Sequence, residues 1–169
     1  MSVYPAASRW AGPLAYLALI AAASAASPAA AHNEQCNGEP TRIDVAIEGL
    51  RSTKGDIVVE IYPDDAKRFL VRKAQVNSIH VKLKARPVTI CLAVPKPGGY
   101  AVAVYHDENG DGEFNRTILG LPTEGFGLSN NPPIHLSAPA FASVRFEAGE
   151  GETTVNIHMH YLLGGGSSD

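Results

Sequence analysis

From Thr41 onward the chain alternates apolar and polar residues with period two. Ile43, Val45 and Ile47 interleave with Arg42, Asp44 and Glu48, and Ile57, Val59 and Ile61 repeat the pattern beyond a turn at Lys54-Gly55. Ile79, Val81 and Leu83 alternate with His80, Lys82 and Lys84; Val88, Ile90, Leu92 and Val94 follow Pro87; Val102 and Val104 lead to His106. Val144 and Phe146 come next, then Val155, Ile157, Met159 and Tyr161. Strict alternation turns one set of side chains to a core and the other to water. Gly, Pro, Asn and Asp clusters separate these runs and mark about seven strands. Seven half-buried strands in one domain predict two packed sheets, an all-β antiparallel sandwich of Ig-like or Greek-key type.

Two stretches break the rhythm. Asp64 to Gln75 begins with acids, ends with cations and carries Ala66, Phe69, Leu70 and Lys73 at helical spacing, which predicts a short crossover helix. Its cations Lys67, Arg68, Arg72 and Lys73 form either a solvated face or a contact for an anionic envelope partner. The second break runs from His106 to about Phe141. A loop of that length inside a compact domain is usually functional or disordered. Phe114, Ile118, Leu119, Leu121, Phe126 and Leu128 give it too much apolar surface for disorder, so an ordered cap over one end of the sandwich is expected.

The N-terminal residues change the picture of where the protein acts. Leu14 to Ala26 is an apolar run of signal-peptide length, and Ala29 and Ala31 supply an Ala-x-Ala cleavage signal. The expectation is a leader over 1–31, a β-sandwich domain over 32–163 and a flexible tail over 164–169. The product would be periplasmic or secreted, with no transmembrane segment in the mature chain. The formal charge of −3 disfavours nucleic acid, which requires a clustered basic face. Cys36 and Cys91 are the only cysteines, and in an oxidising compartment an even pair predicts a disulfide. A metal or redox pair would want Cys-x-x-Cys spacing, which is absent.

Candidate chemistry concentrates at the head of the long loop. Asp107-x-Asn109-x-Asp111-Gly112 wraps three oxygen-bearing side chains round one point, as a hard divalent cation requires. In calcium-loop register, the Glu113 carbonyl takes position seven and Asn115 position nine, but position twelve is Ile118 where a bidentate acid belongs. Glu124, on the following turn, is the acid able to close the site. Weak calcium binding, on the order of 10⁻⁴–10⁻³ M, would follow from so few carboxylates. The alternative is a metal-free turn in which Asx side chains cap their own backbone.

The run from Tyr100 to Asn131, with AVYHDENGDG, LGLPTEGFG and SNNP, closely resembles small secreted bacterial proteins of domain-of-unknown-function family 2141. The resemblance extends over about Thr41 to Leu162. His106, Asp107, Asn109, Gly110, Gly120, Pro122, Glu124, Gly125, Gly127, Ser129 and Asn130 stand where that motif has them. It implies a β-sandwich behind a signal peptide and a structured loop, with no reaction attached.

A different function class rests on His32. Cleavage after Ala31 would make it the mature N-terminus, able to chelate copper through amine and imidazole, with His158 or His160 of the last strand completing the site. Hydrolysis has little support. His106 and Asp107 are strand neighbours that point to opposite faces, and Ser129 lacks a Gly-x-Ser-x-Gly context. Tyr100, Tyr105, Phe114 and Phe126 are candidates for a sugar- or peptide-binding surface as well as for core filling. The expected function is thus an exported, non-enzymatic binding or structural module. Its loop 107–131 would hold calcium and meet an envelope or extracellular partner; a copper carrier or copper enzyme is the alternative.

Overall fold

The alternating runs become the strands of two sheets packed face to face. The computed structural model describes Met1 and residues 31–32, 36, 38–135 and 137–163; the expected leader, apart from Met1 and Ala31, and the tail 164–169 lie outside the described residues. The elements in chain order are β1 (Ala31–His32), β2 (Thr41–Glu48), β3 (Asp56–Pro63), β4 (Asn77–Lys82), β5 (Val88–Ala93), β6 (Gly98–Asp107), β7 (Gly125–Leu128), α1 (Phe141–Val144), β8 (Phe146–Ala148) and β9 (Gly151–His158).

One sheet has the order β1-β5-β2-β9 and the other β4-β3-β6-β7, with β8 also paired to β6. The second sheet is antiparallel throughout. The first departs from the expected antiparallel pattern at two places, because β9 runs parallel to β2 and β1 parallel to β5. The core between the sheets is made by the residues that the alternation selects. Ile43, Val45 and Ile47 of β2 meet Ile57, Val59 and Ile61 of β3, with Ile90, Val102, Val104 and Ile157 buried among them. Each such side chain removed from water contributes about 1.5–3 kcal/mol, so this layer dominates the stability.

A second, smaller apolar layer lies on the outer face of the β3–β6 sheet, where Tyr62, Ala101, Ala103, Leu128 and Val144 are buried under Phe69 and Phe141. It overrides the helix expected over 64–75. Phe69 packs between Tyr62 and Phe141, at ring separations of 5.6 and 5.7 Å. The chain around it makes turns that bond Arg68 N–H to Asp65, Val71 N–H to Arg68 and Ala74 N–H to Val71. Leu70 and Lys73 are left-handed, with φ of 57° and 63°, which a helix does not tolerate. Val144, expected in a strand, instead ends the single turn of α1, and the strand starts at Phe146.

Two features position the long loop. β7, which the alternation does not reveal, pairs with β6 from Ala103–Leu128 to His106–Gly125. Phe126 also exchanges both backbone hydrogen bonds with His160 just beyond β9, at 2.9 and 2.8 Å, and so joins the sheets along one side. Cys36 and Cys91 form the expected disulfide, with Cα atoms 6.0 Å apart, tying the segment before β2 to β5. Among the described residues no helix is long and apolar enough to cross a membrane.

Candidate functional site

The loop starts where β6 ends. Asp107 is buried, and its carboxylate closes the turn: Oδ1 accepts from the N–H of Gly110 at 2.7 Å and of Asp111 at 3.3 Å, and Oδ2 from Gly112 at 2.7 Å. Gly110 and Gly112 stand at φ of 72° and 76°, a region that suits glycine and lets their N–H groups face inward. Asp111 is exposed. Its Oδ1 accepts from Glu113 N–H at 2.9 Å and its Oδ2 from Asn109 Nδ2 at 2.8 Å. The Glu113 N–H first, and the Asn109 amide second, hold the Asp111 carboxyl below the usual carboxylate range. Asn109 also donates to Asn115 Oδ1 at 3.0 Å, and the Glu113 carboxylate turns outward to Arg72 at 3.3 Å.

A hairpin over 115–123 then decides the site. Thr123 N–H bonds to Asn115 O at 3.1 Å, Arg116 bridges to Pro122, and Thr117 N–H bonds to Leu121 O at 2.8 Å. Ile118 occupies the exposed tip, so position twelve of a calcium loop is carried away from the other ligands. The same fold-back returns Glu124 to the starting point. One carboxylate oxygen from each of Asp107, Asp111 and Glu124 lies within 4.8 Å of the others. Glu124 is only 5 % exposed; its Oε2 accepts from Asn115 N–H at 3.1 Å, while its buried Oε1 has no hydrogen-bond partner among the described residues. Burial foremost pushes the Glu124 carboxyl up; the charges of Asp107, Asp111 and Glu108 add to this, against the Asn115 N–H. A second group of potential ligands, Cys36, Asp44 and Cys91, has its sulfurs committed to the disulfide.

Side chains outside the motif's acids anchor the loop. His106 is fully buried, and its Nε2 lies 2.7 Å from the Lys54 carbonyl and its Nδ1 2.7 Å from the Tyr161 hydroxyl. A carbonyl only accepts, so Nε2 carries the proton and Nδ1 accepts from Tyr161. The Arg51 guanidinium lies over the Tyr161 ring at 4.4 Å and forks onto the Glu108 carboxylate, which also accepts from Ser52 Oγ at 3.1 Å. Gly125 leaves room for Tyr161: a Cβ there would stand 2.2 Å from its ring. At the far end, Ser129 Oγ accepts from Val102 N–H at 3.0 Å and donates to Val144 O at 2.5 Å. Asn130 donates to Arg145 O at 2.8 Å. The Asn131 side chain both donates to Asn156 O and accepts from His158 N–H of β9, at 3.0 and 2.8 Å. These contacts give His106 and Ser129 structural work in the motif.

The copper alternative draws its histidines from the two outer strands of the first sheet. His158 and His160 are neighbours, with rings 5.3 Å apart, and burial first and His158 second push His160 down. His32 lies in β1 at the opposite edge of that sheet. It is in register with Thr89, Ala46 and Asn156 across three strand spacings, which at ~4.8 Å each separate the backbones by about 14 Å.

Beside the acid cluster, the outer face of β3, β4, β6 and β7 carries a groove of about 470 Å³. Glu60, Tyr62, His80, Tyr105 and Phe126 line its sheet side; the 70–75 turns, Phe114 and the 116–122 hairpin form walls. Tyr105 and Phe126 flank Phe114 at ring distances of 5.5 and 6.2 Å, and Arg116 lies 4.7 Å from the Phe114 ring centre. Tyr100, by contrast, points into the core and donates to Lys96 O at 2.7 Å.

A family model described as "Uncharacterized protein conserved in bacteria (DUF2141)" matches residues 45–156. The chain belongs to this family. The matched span runs from the middle of β2 into β9 and includes the entire acid loop with Arg51, His106, Ser129, Asn130 and Asn131, while Tyr161 lies beyond it. No curated protein and no solved structure matches the chain.

Proposed function

We propose that this family member is an exported, non-enzymatic β-sandwich binding module whose 107–131 loop is completed by a calcium ion and forms its recognition surface. The observation that carries the reading is the Glu124 carboxylate, buried beside Asp107 and Asp111 with Oε1 unpartnered among the described residues. A buried polar atom without a partner requires an explanation, and an ion is one of the few available. Three clustered carboxylates repel one another, and a hard divalent cation that prefers oxygen ligands at 2.3–2.6 Å removes both costs. Asp107, Asp111 and Glu124 would supply the charge. Asn109, Asn115 and the Glu113 carbonyl are the neutral oxygens within the same loop. Export is supported by the apolar leader sequence and by the Cys36–Cys91 disulfide, which belongs to an oxidising compartment.

The test is a thermal melt in chelator and in calcium for the wild type, Glu124→Gln and Asp111→Ala. At a calcium concentration ten times the dissociation constant, the native state gains about 1.4 kcal/mol by mass action. The midpoint of the wild type rises and those of both variants stay put. An unmoved wild type, or variants that rise equally, overturns the reading and leaves a turn closed by its own Asx hydrogen bonds.

A further inference from the structure

The groove beside the acid loop has two rims with the same unusual composition. On one, the turns over 66–73 expose Leu70 at 40 % and Val71 at 49 %, set between Lys67 and Arg68 before and Arg72 and Lys73 after. On the other, the hairpin tip exposes Ile118 completely and Leu119 at 83 %, with the exposed Arg116 just before them. Arg72, reaching Glu113 at 3.3 Å, ties the first rim to the acid loop just ahead of the hairpin. Leu162, also exposed, lines the same groove. The large exposed hydrophobics of the described residues gather here, the others being Met1 and Leu163.

From this arrangement we propose that the face formed by the 66–73 turns and the 116–122 hairpin docks on an anionic lipid surface. Isolated exposed apolar side chains are common, but paired ones at the tips of two loops on a single face mark an interaction surface. Charge complementarity selects the partner. The whole chain is net negative, yet the rims carry Lys67, Arg68, Arg72, Lys73 and Arg116. Acids border the face as well: Asp65 accepts from Lys67 N–H, Asp64 pairs with Arg145, Glu113 pairs with Arg72, Glu60 within the groove accepts from Tyr62, and the Asp107–Asp111–Glu124 cluster lies at the base of the hairpin. Cations interleaved with apolar side chains suit the boundary between lipid phosphates and acyl chains. The apolar tips enter the acyl region while Lys and Arg heads stay with the phosphates. Phe69, anchored in the layer beneath, and the hydrogen bonds of the hairpin hold both tips in place, so little ordering is needed on docking.

The inference deepens the recognition-surface reading and does not depend on the ion, so the experiment is run in chelator. The purified protein is sedimented with vesicles of equal parts phosphatidylglycerol and phosphatidylcholine, and with phosphatidylcholine alone. Binding to the anionic vesicles is expected to be at least about tenfold tighter, and to fall by about tenfold or more in the Ile118→Asp/Leu119→Asp variant. Both positions are exposed, so the fold is unaffected, which a melt confirms. Lys67→Gln/Lys73→Gln weakens binding to anionic vesicles alone. No sedimentation with anionic vesicles, equal binding to both compositions, or an unchanged tip variant overturns the proposal. A failure here with an intact calcium-induced shift separates this face from the ion site.

Discussion

The Tyr161 hydroxyl, beyond the last strand, donates to the fully buried Nδ1 of His106 at 2.7 Å. This contact, one residue before Asp107, makes the C-terminal segment a support for the acid loop. Tyr161→Phe leaves an imidazole nitrogen without its donor, and a loss of about 1–2 kcal/mol is expected. His106→Ala also opens a cavity and orphans the Lys54 carbonyl, so about 3 kcal/mol or more is lost. Urea denaturation of the two variants checks the order. Equal stabilities would mean that the histidine acts only through Tyr161.

The disulfide closes a separation of 55 residues between the segment before β2 and strand β5. On the chain-entropy argument its removal costs up to about 4 kcal/mol. Cys36→Ala/Cys91→Ala should lower the denaturant midpoint by a corresponding amount. The wild type in reductant should match it, and reductant should not move the double variant further.

Tyr62 gives the fold a limit on the alkaline side. Burial first, and the 2.7 Å hydrogen bond to the Glu60 carboxylate second, push its phenol above the usual tyrosine range. A raised folded-state pKa contributes stability that is whole below the unfolded value of about 10 and is lost as pH rises through the folded one. The thermal midpoint should therefore fall increasingly above about pH 10. Tyr62→Phe removes this contribution, and its midpoint should decline less steeply over the same window.

The sandwich was legible because period-two alternation is a direct signature of a half-buried strand, and Ile43, Val45, Ile57, Val59 and Ile157 all occupy the core. β7 was not, because Gly125-Phe126-Gly127-Leu128 sets glycine against Phe and Leu and has no polar residue to mark a solvent face. Its place is set by tertiary fit, with Gly127 packed so tightly that a Cβ would lie 2.4 Å from Ile157. The 64–75 segment shows the opposite error. Its charges follow the helix dipole, but burying Phe69 between Tyr62 and Phe141 determined the backbone. At the acid loop, residue type and spacing singled out Asp107 and Asp111, whereas Glu124 stood outside that spacing as a candidate closing acid and reaches them through the 115–123 hairpin. The Arg51–Glu108 and Tyr161–His106 contacts join residues far apart in sequence, and no local pattern announces them.

Asn131 has a consequence for how the molecule behaves in a crowd of its own copies. β9 is an outer strand of its sheet, and such strands invite pairing with another chain. The Asn131 amide sits on the Asn156 carbonyl and the His158 N–H as a neighbouring strand would. That stretch of edge is thereby closed to templated self-association, and a single side chain serves as a guard against aggregation.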